Sequence, residues 1–389
     1  MVTQAGVAQS DWVIDGMLGI GLTRPLDAGM LLTVQHLNEW SKGKWVVSVD
    51  IPSGLSADTG MPMPDAVVAS QTVTFGFLKR GLVTGRAAEY VGKVDCVDLG
   101  LPHSESCARL FEQADAKRVL PKRSVSGHKG NYGHVCVWVG DHPDKEGAPA
   151  LSCLGALKSG AGLVTALGSS TAIQSIRPRL IPEIMTESAE IARLTMVGGV
   201  LVVGPGMGTD EGAWTMLSML LRSKSNLVLD ADALTLLARH KDEGKSLLAN
   251  RGGSVTVMTP HPKEAARLLA KETSEIQSDR FAALSELVAT FGVTVLLKGK
   301  GTLIGAPLES ILVVTAGDSG LSKGGTGDVL SGIIAAFCAQ MKSTQTAAAL
   351  GAYVHGRTSE ILSEGLGTER STLASEVANG LPLTFQELE

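Results

Sequence analysis

The sequence predicts an α/β fold, a doubly wound sheet with helices on both faces, and three observations lead to it. Short apolar runs alternate with stretches of helical spacing along most of the chain. The composition is 44% hydrophobic but only 4% aromatic, with 46 glycines, which suits buried parallel strands joined by tight turns better than an all-β sandwich. Glycine-rich segments follow several of the apolar runs directly, where open α/β sheets place their ligands.

At roughly 100–200 residues per domain, a chain of 389 residues is expected to form two domains. In the first, residues 1–105, strands are expected over Asp11–Leu18, Lys44–Ile51, Thr72–Phe77 and Val94–Leu99. The pattern dissolves over residues 102–124, and 106–118 read as a linker. In the second domain, 119–389, strand His134–Val139 precedes a small-residue helix over Ala148–Gly160 and strand Leu163–Leu167. Strands follow at Val200–Val203, Asn226–Asp230 and Val255–Thr259, then a long helix near Ser278–Phe291. Thr294–Leu297 and Thr302–Ile304 flank a glycine turn, Ile311–Val314 precedes another glycine loop, and helices occupy about 326–340 and 344–362. This reads as βαβ architecture throughout, with no role evident for the tail after Gly365.

The formal charge of −5 argues against a nucleic-acid binder, which needs a Lys/Arg excess to neutralise phosphates. Cys96, Cys107, Cys136, Cys153 and Cys338 are odd in number and lack C-x-x-C spacing, as expected of reduced thiols in a cytoplasmic protein. The start, MVTQAGV, has no basic-then-apolar pattern of a leader, and no apolar run is long enough to span a bilayer.

The sharpest chemical signal is Lys323-Gly324-Gly325-Thr326-Gly327-Asp328, which opens an apolar helix. A helix start offers unpaired N–H groups and a positive dipole end to a phosphate. A carboxylate beside such a nest is repelled by that ligand, so Asp328 suits a general base that takes a proton from an attacking hydroxyl. A capping Asp after a flexible turn is the plainer explanation. Lys298-Gly299-Lys300-Gly301-Thr302 could hold nucleotide phosphates or be an ordinary hairpin turn with solvated lysines. Val203-Gly204-Pro205-Gly206-Met207-Gly208, Asp230-Ala231-Asp232 and Thr259-Pro260-His261-Pro262-Lys263-Glu264 also end strands, and together these elements converge on one end of a presumptive sheet.

Read in order, HKGNYGHVCVWVGD (128–141), GAPALSCLGALKSGAGLV (147–164), VVGPGMG (202–208), LDADAL (229–234), TPHPKEAARLL (259–269), LLKGKGTLI (296–304) and GGTGDVLSGIIAAF (324–337) resemble the ADP/ATP-dependent NAD(P)H-hydrate dehydratases, a ribokinase-like branch. The resemblance implies nucleotide-dependent dehydration of the S form of hydrated NADH or NADPH, with Mg²⁺ and with ADP or ATP as phosphate donor. Asp328 would be catalytic and touch substrate along with Ala148, Gly206 and His261. Lys298, Gly299, Lys300, Gly301, Thr302, Thr326 and Gly327 would bind nucleotide. The sequence departs from the family pattern at Thr235, Lys263 and Asp318. A small-molecule, vitamin-precursor kinase on the same fold is the alternative.

GMLGIGLTRPL (16–26), VVSVDIPSGLSADTG (46–60) and TVTFGFLKRGL (72–82) resemble the later half of NAD(P)H-hydrate epimerases, so the first domain is expected to be a partial Rossmann-like α/β domain. Nothing in the sequence matches that family's Gly/Asn-rich loop. By resemblance Asp15 and Ser53 would ligate potassium, and Asp50, with Gly19 and Gly21, would remain of the epimerase site. Epimerase activity is expected to be lost, and the uncovered sheet to favour a homo-oligomer.

Overall fold

The computed structural model describes residues 6–7, 9–102, 107–142, 144–188 and 199–389. Its contacts divide the chain into two units, Met1–Ala108 with Gln277–Phe281, and Arg109–Ile276 with Ala282–Glu389. In the first, strands β1 (Trp12–Asp15), β2 (Trp45–Val49), β3 (Gln71–Phe75) and β4 (Lys93–Val97) lie in chain order as a parallel sheet. Successive side chains on a strand point to opposite faces. Val13 and Asp15 are therefore buried, whereas Trp12 and Ile14 are 62% and 73% exposed. The helix Ala28–Trp40, capped by Asp27, buries Val34 and Leu37 with Val13, Val46 and Val67.

The second unit is built on strands β5 (Ala108–Leu110), β6 (His134–Val139), β7 (Leu163–Gly168), β8 (Met185–Ser188), β9 (Val200–Val203), β10 (Asn226–Leu229), β11 (Thr256–Met258), β12 (Thr294–Leu297), β13 (Thr302–Gly305) and β14 (Ile311–Val314). They form one sheet in the order β5-β14-β13-β12-β11-β10-β9-β6-β7-β8. From β12 through β8 neighbouring strands are parallel. Residues of β9 are buried throughout, as expected for a strand covered on both faces.

Several elements differ from expectation. The run β12-β13-β14 is an antiparallel meander, because the connections at 298–301 and 306–310 are too short for a crossover helix, so βαβ order does not extend throughout. Residues 106–118, read as a linker, contain β5 and most of the helix Gln113–Val119. The helix expected near Ser278–Phe291 is interrupted at Asp279, giving Thr273–Ser278 and Arg280–Phe291. The tail after Gly365 has a clear role: helix Ala374–Leu388 buries Ala374, Ala378, Leu381 and Leu388 in the main core. Its small residues, Gly380 and the alanines, hid the apolar stripe from a reading based on large side chains.

Helix Thr326–Cys338 is buried along most of its length and crosses helix Gly147–Lys158 at van der Waals distance. A Cβ at Gly332 would lie 2.0 Å from the Ser152 carbonyl oxygen, and one at Gly155 would lie 2.4 Å from that of Val329. Glycine at both positions lets the two backbones touch. Ser152 Oγ then donates to the Asp328 carbonyl at 2.9 Å, which binds the loop-bearing helix to the GAPAL helix.

Candidate active site

The sheet changes winding direction between β6 and β9, and the loops after parallel strands at such a point form a ligand crevice. There the loop after β9 packs on the segments following β6: a Cβ at Gly140 would meet the Gly206 carbonyl oxygen at 2.7 Å, and one at Gly206 would meet that of Lys145 at 2.5 Å. Ala148 opens the helix just beyond, so the structure brings Gly206 and the Ala148 turn together. Lys145 Nζ reaches Asp232 at 3.1 Å, and the Gly208 N–H donates to the same carboxylate oxygen at 2.9 Å.

The ends of β10, β11 and β12 supply charge. Asp230 is buried, caps the helix Ala231–Arg239, and accepts a 2.6 Å bond from Lys298 Nζ. His261 caps the helix Pro262–Leu269: its Nδ1 accepts from the N–H groups of Lys263 and Glu264 at 3.1 and 3.3 Å. Its Nε2 lies 3.2 Å from Glu264 Oε1, and Glu264 Oε2 accepts from the His261 N–H, so the ring is held on both sides. Burial works against the ionised Glu264, but the His261 bond and the charge of Lys298 hold it below the usual carboxylate range.

Asp328 lies in the first turn of helix Thr326–Cys338, entered through Gly325 at a φ of 94°. Burial, then the negative charge of Asp230, push its pKa up to about 7 against the lowering effect of Lys298, with Asp232 and Glu264 adding to the rise. Thr326 Oγ1 donates inward to the loop, 2.8 Å from the Leu321 carbonyl and 2.9 Å from that of Lys323. Lys300 Nζ turns to the Gly317 carbonyl at 2.8 Å, and Thr302 Oγ1 donates to that of Gly299 at 2.9 Å. Lys298 is thus not the solvated lysine of an ordinary turn, whereas Lys300 stays exposed while its ammonium reaches the Gly317 carbonyl.

The structure gathers Asp328, Gly327, Lys298, Asp230, Asp232 and Glu264 into one charged cluster. The sequence reading had named Asp230, Asp232 and Glu264 only as polar groups at strand ends. It missed His355, a buried histidine on helix Thr344–Leu366 that hydrogen-bonds the Thr326 backbone and whose Nε2 has no partner. Burial and then the Lys298 charge lower its pKa to about 4, so it is neutral at physiological pH. A lone histidine directly after the small and apolar run Ala347–Val354 was the available signal.

In the first unit Asp15 and Ser53 also meet. Asp15 Oδ1 accepts from Ser53 Oγ at 2.6 Å and from Met17 N at 3.4 Å, while Oδ2 accepts from Ser48 Oγ at 2.9 Å and Ser53 N at 2.8 Å. Each oxygen of this carboxylate thus accepts two hydrogen bonds, the one from Met17 N being long. Asp50, at a φ of 67°, pairs with Lys79 and accepts from Thr74 Oγ1. Gly19 and Gly21 are exposed.

A long, mostly parallel sheet with an antiparallel meander and a glycine loop that opens a buried helix defines an enzyme of the ribokinase-like class. Residues 135–382 match the NAD(P)H-hydrate dehydratase family model, and residues 2–81 match that of the YjeF-related protein N-terminus. The chain is 35% identical to the bifunctional NAD(P)H-hydrate repair enzyme of Coxiella burnetii over 94% of its own length and 74% of that protein. It is 36% identical to the Escherichia coli enzyme of the same name, over 95% and 71%. An ADP/ATP-dependent NAD(P)H-hydrate dehydratase from Bacillus subtilis, co-crystallised with ATP/Mg²⁺, superposes with a TM-score of 0.63 at 26% identity, covering 72% of this chain and 98% of that one. A ribokinase-like superfamily protein of Enterococcus faecalis gives 0.62 at 27% identity, with 74% and 99% covered. The chain belongs to the NAD(P)H-hydrate dehydratase family and carries a YjeF-type N-terminal domain ahead of it. Among the described residues no helix is long and apolar enough to cross a membrane.

Proposed function

We propose that this enzyme restores NADH and NADPH from the S form of their hydrates, with ADP or ATP as phosphate donor. The observation that carries the reading is Asp328, a half-buried carboxylate whose pKa is pushed up to about 7, in the first turn of a glycine-entered helix. A base poised there is half ionised at neutral pH and can take a proton without being a permanent charge against phosphate. Asp328 removes the proton of the ring hydroxyl as that oxygen bonds to the terminal phosphorus, releasing AMP from ADP or ADP from ATP. The ring nitrogen's lone pair then expels inorganic phosphate from the carbon that carried the hydroxyl, and the next ring carbon loses a proton, its C–H electrons forming the C=C bond and returning the lone pair to nitrogen, which restores the dihydronicotinamide.

Backbone N–H groups of Gly299, Gly301, Thr302, Thr326 and Gly327 line the nucleotide phosphates in this reading, and removal of one such donor typically costs about 2.7–4 kcal/mol in the transition state. Ala148, Gly206 and His261 line the dinucleotide. Mg²⁺ bound to nucleotide phosphate oxygens would neutralise their charge, a role for which it commonly keeps several waters. Asp230 and Glu264 are already engaged by Lys298 and His261, and neither is assigned as a ligand.

The test is recovery of NADH absorbance from purified hydrate, with ADP and ATP compared side by side. Recovery with at least one donor and none without nucleotide is expected; recovery independent of nucleotide would sink the reading. We further propose that the chain does not epimerise the hydrate, because Asp15 is saturated by Ser48, Ser53 and Met17 while Asp50 is ion-paired with Lys79. Pure R hydrate incubated without nucleotide should convert to the S form only at its spontaneous rate. Faster conversion would show that these carboxylates rearrange into a working site.

A further inference from the structure

We propose that the Asp230–Lys298 ion pair is a positioning device: it seats the first turn of the Asp328 helix and keeps that carboxylate in the charge state from which the reaction starts, rather than gripping nucleotide. This rests on the dehydratase reading above. Lys298 leaves β12 with its main chain fixed, its N–H donating to the Pro260 carbonyl at 2.9 Å. Its side chain is 19% exposed, and its ammonium lies 2.6 Å from Asp230 Oδ1. That same oxygen accepts from the N–H of Ala231 at 2.9 Å, across a bend that puts Ala231 at a φ of 48°. A non-glycine residue in this region is strained, and it persists where surrounding contacts over-determine it. The pair is therefore held from both strand ends.

Its position relative to the catalytic helix is direct. A Cβ on Gly327, the residue before Asp328, would lie 3.1 Å from Lys298 Nζ and 3.9 Å from Asp230 Oδ2. The pair thus fills the space beside that turn.

The charges around Asp328 come from several elements. Asp230 and Asp232 come from the start of helix Ala231–Arg239, Glu264 from helix Pro262–Leu269, and Lys298 from the end of β12. Lys145 engages Asp232, and His261 engages Glu264. His355, on helix Thr344–Leu366, feels the Lys298 charge and bonds the Thr326 backbone, but is neutral. Among these groups Lys298 favours the ionised form of Asp328, and Asp230 opposes it. Removing one or the other must therefore move the base in opposite directions.

The experiment is the pH profile of kcat/KM for nucleotide-dependent NADH recovery in the full chain, with nucleotide KM measured in parallel. Lys298→Met should move the acidic limb up by about one unit, as expected for loss of a nearby opposite charge, and Asp230→Asn should move it down. Lys298→Arg should keep the limb near that of the parent, and Asp230→Asn/Lys298→Met should fall between the single variants. The double variant buries no unpaired charge, so it covers the case in which Lys298→Met does not fold, as judged by thermal melting. A raised nucleotide KM with unmoved limbs in all folded variants would overturn the proposal and make Lys298 a phosphate ligand. Absence of nucleotide-dependent recovery in the unaltered chain would overturn the dehydratase reading itself, and the role of the pair with it.

Discussion

Asp328→Asn is expected to lower turnover by about 10²–10⁴-fold, the usual worth of a positioned general base. Nucleotide affinity should stay near that of the parent or become tighter, since the substitution removes a negative charge from a site that receives phosphate. Single-turnover NADH recovery and nucleotide titration measure the two effects separately. Turnover within threefold of the parent would remove Asp328 from the base role.

The same substitution should stabilise the fold at high pH. Burial and Asp230 raise the folded-state pKa of Asp328 to about 7 from an ordinary value of 3.8. A carboxyl shifted upward favours the folded state fully only below its unfolded pKa, and that contribution is lost as pH rises through about 7. Relative to the parent, Asp328→Asn should melt higher at pH 8, and its advantage should shrink through the acid range and vanish near pH 4. A constant difference in melting temperature across that range would contradict the assigned burial of the charge.

The second large effect is structural. Gly332→Val should destabilise the second unit by about 3 kcal/mol or more, the upper end for overpacking, because its Cβ would fall 2.0 Å from the Ser152 carbonyl oxygen. Backbone cannot swing aside as a long side chain can. Since the two crossing helices present the GAPAL turn and Asp328, activity should fall along with thermal stability. Gly252→Ala serves as the control: a Cβ there would meet nothing within 4 Å, and the change should stay within about 0.5 kcal/mol. Equal melting temperatures for the two variants would show that the helices do not depend on this approach.

Much of the enzyme was legible in local sequence. Apolar runs such as VLVV at 200–203 and TVLL at 294–297 predict buried strands because few other elements can hide such short continuous apolar segments. The glycine loop before Asp328 was readable because a tight entry into a helix needs particular backbone conformations over a few adjacent residues, and Gly325 adopts one of them. The family motifs, taken together, carried the reaction class. Elements built from small residues were less visible. Helix Ala374–Leu388 interleaves alanines and a glycine with Val377, Leu381 and Leu388 on its buried face, and β5 is too short for periodicity to register.

Tertiary structure alone decided how the charges are paired. In sequence, Lys298 and Lys300 are equivalent members of a turn, but one ammonium meets Asp230 and the other the Gly317 carbonyl. Asp15 and Ser53, expected by resemblance to share an ion, hydrogen-bond one another together with Ser48. His355 gave no motif at all, yet it backs the glycine loop through Thr326. Sequence thus determined most of the strands, the glycine loop that opens the Asp328 helix, and the family. The Asp328 pKa depends on burial and on Asp230, 98 positions earlier. Coulomb energy and desolvation depend on distance in space, which only the folded sheet establishes.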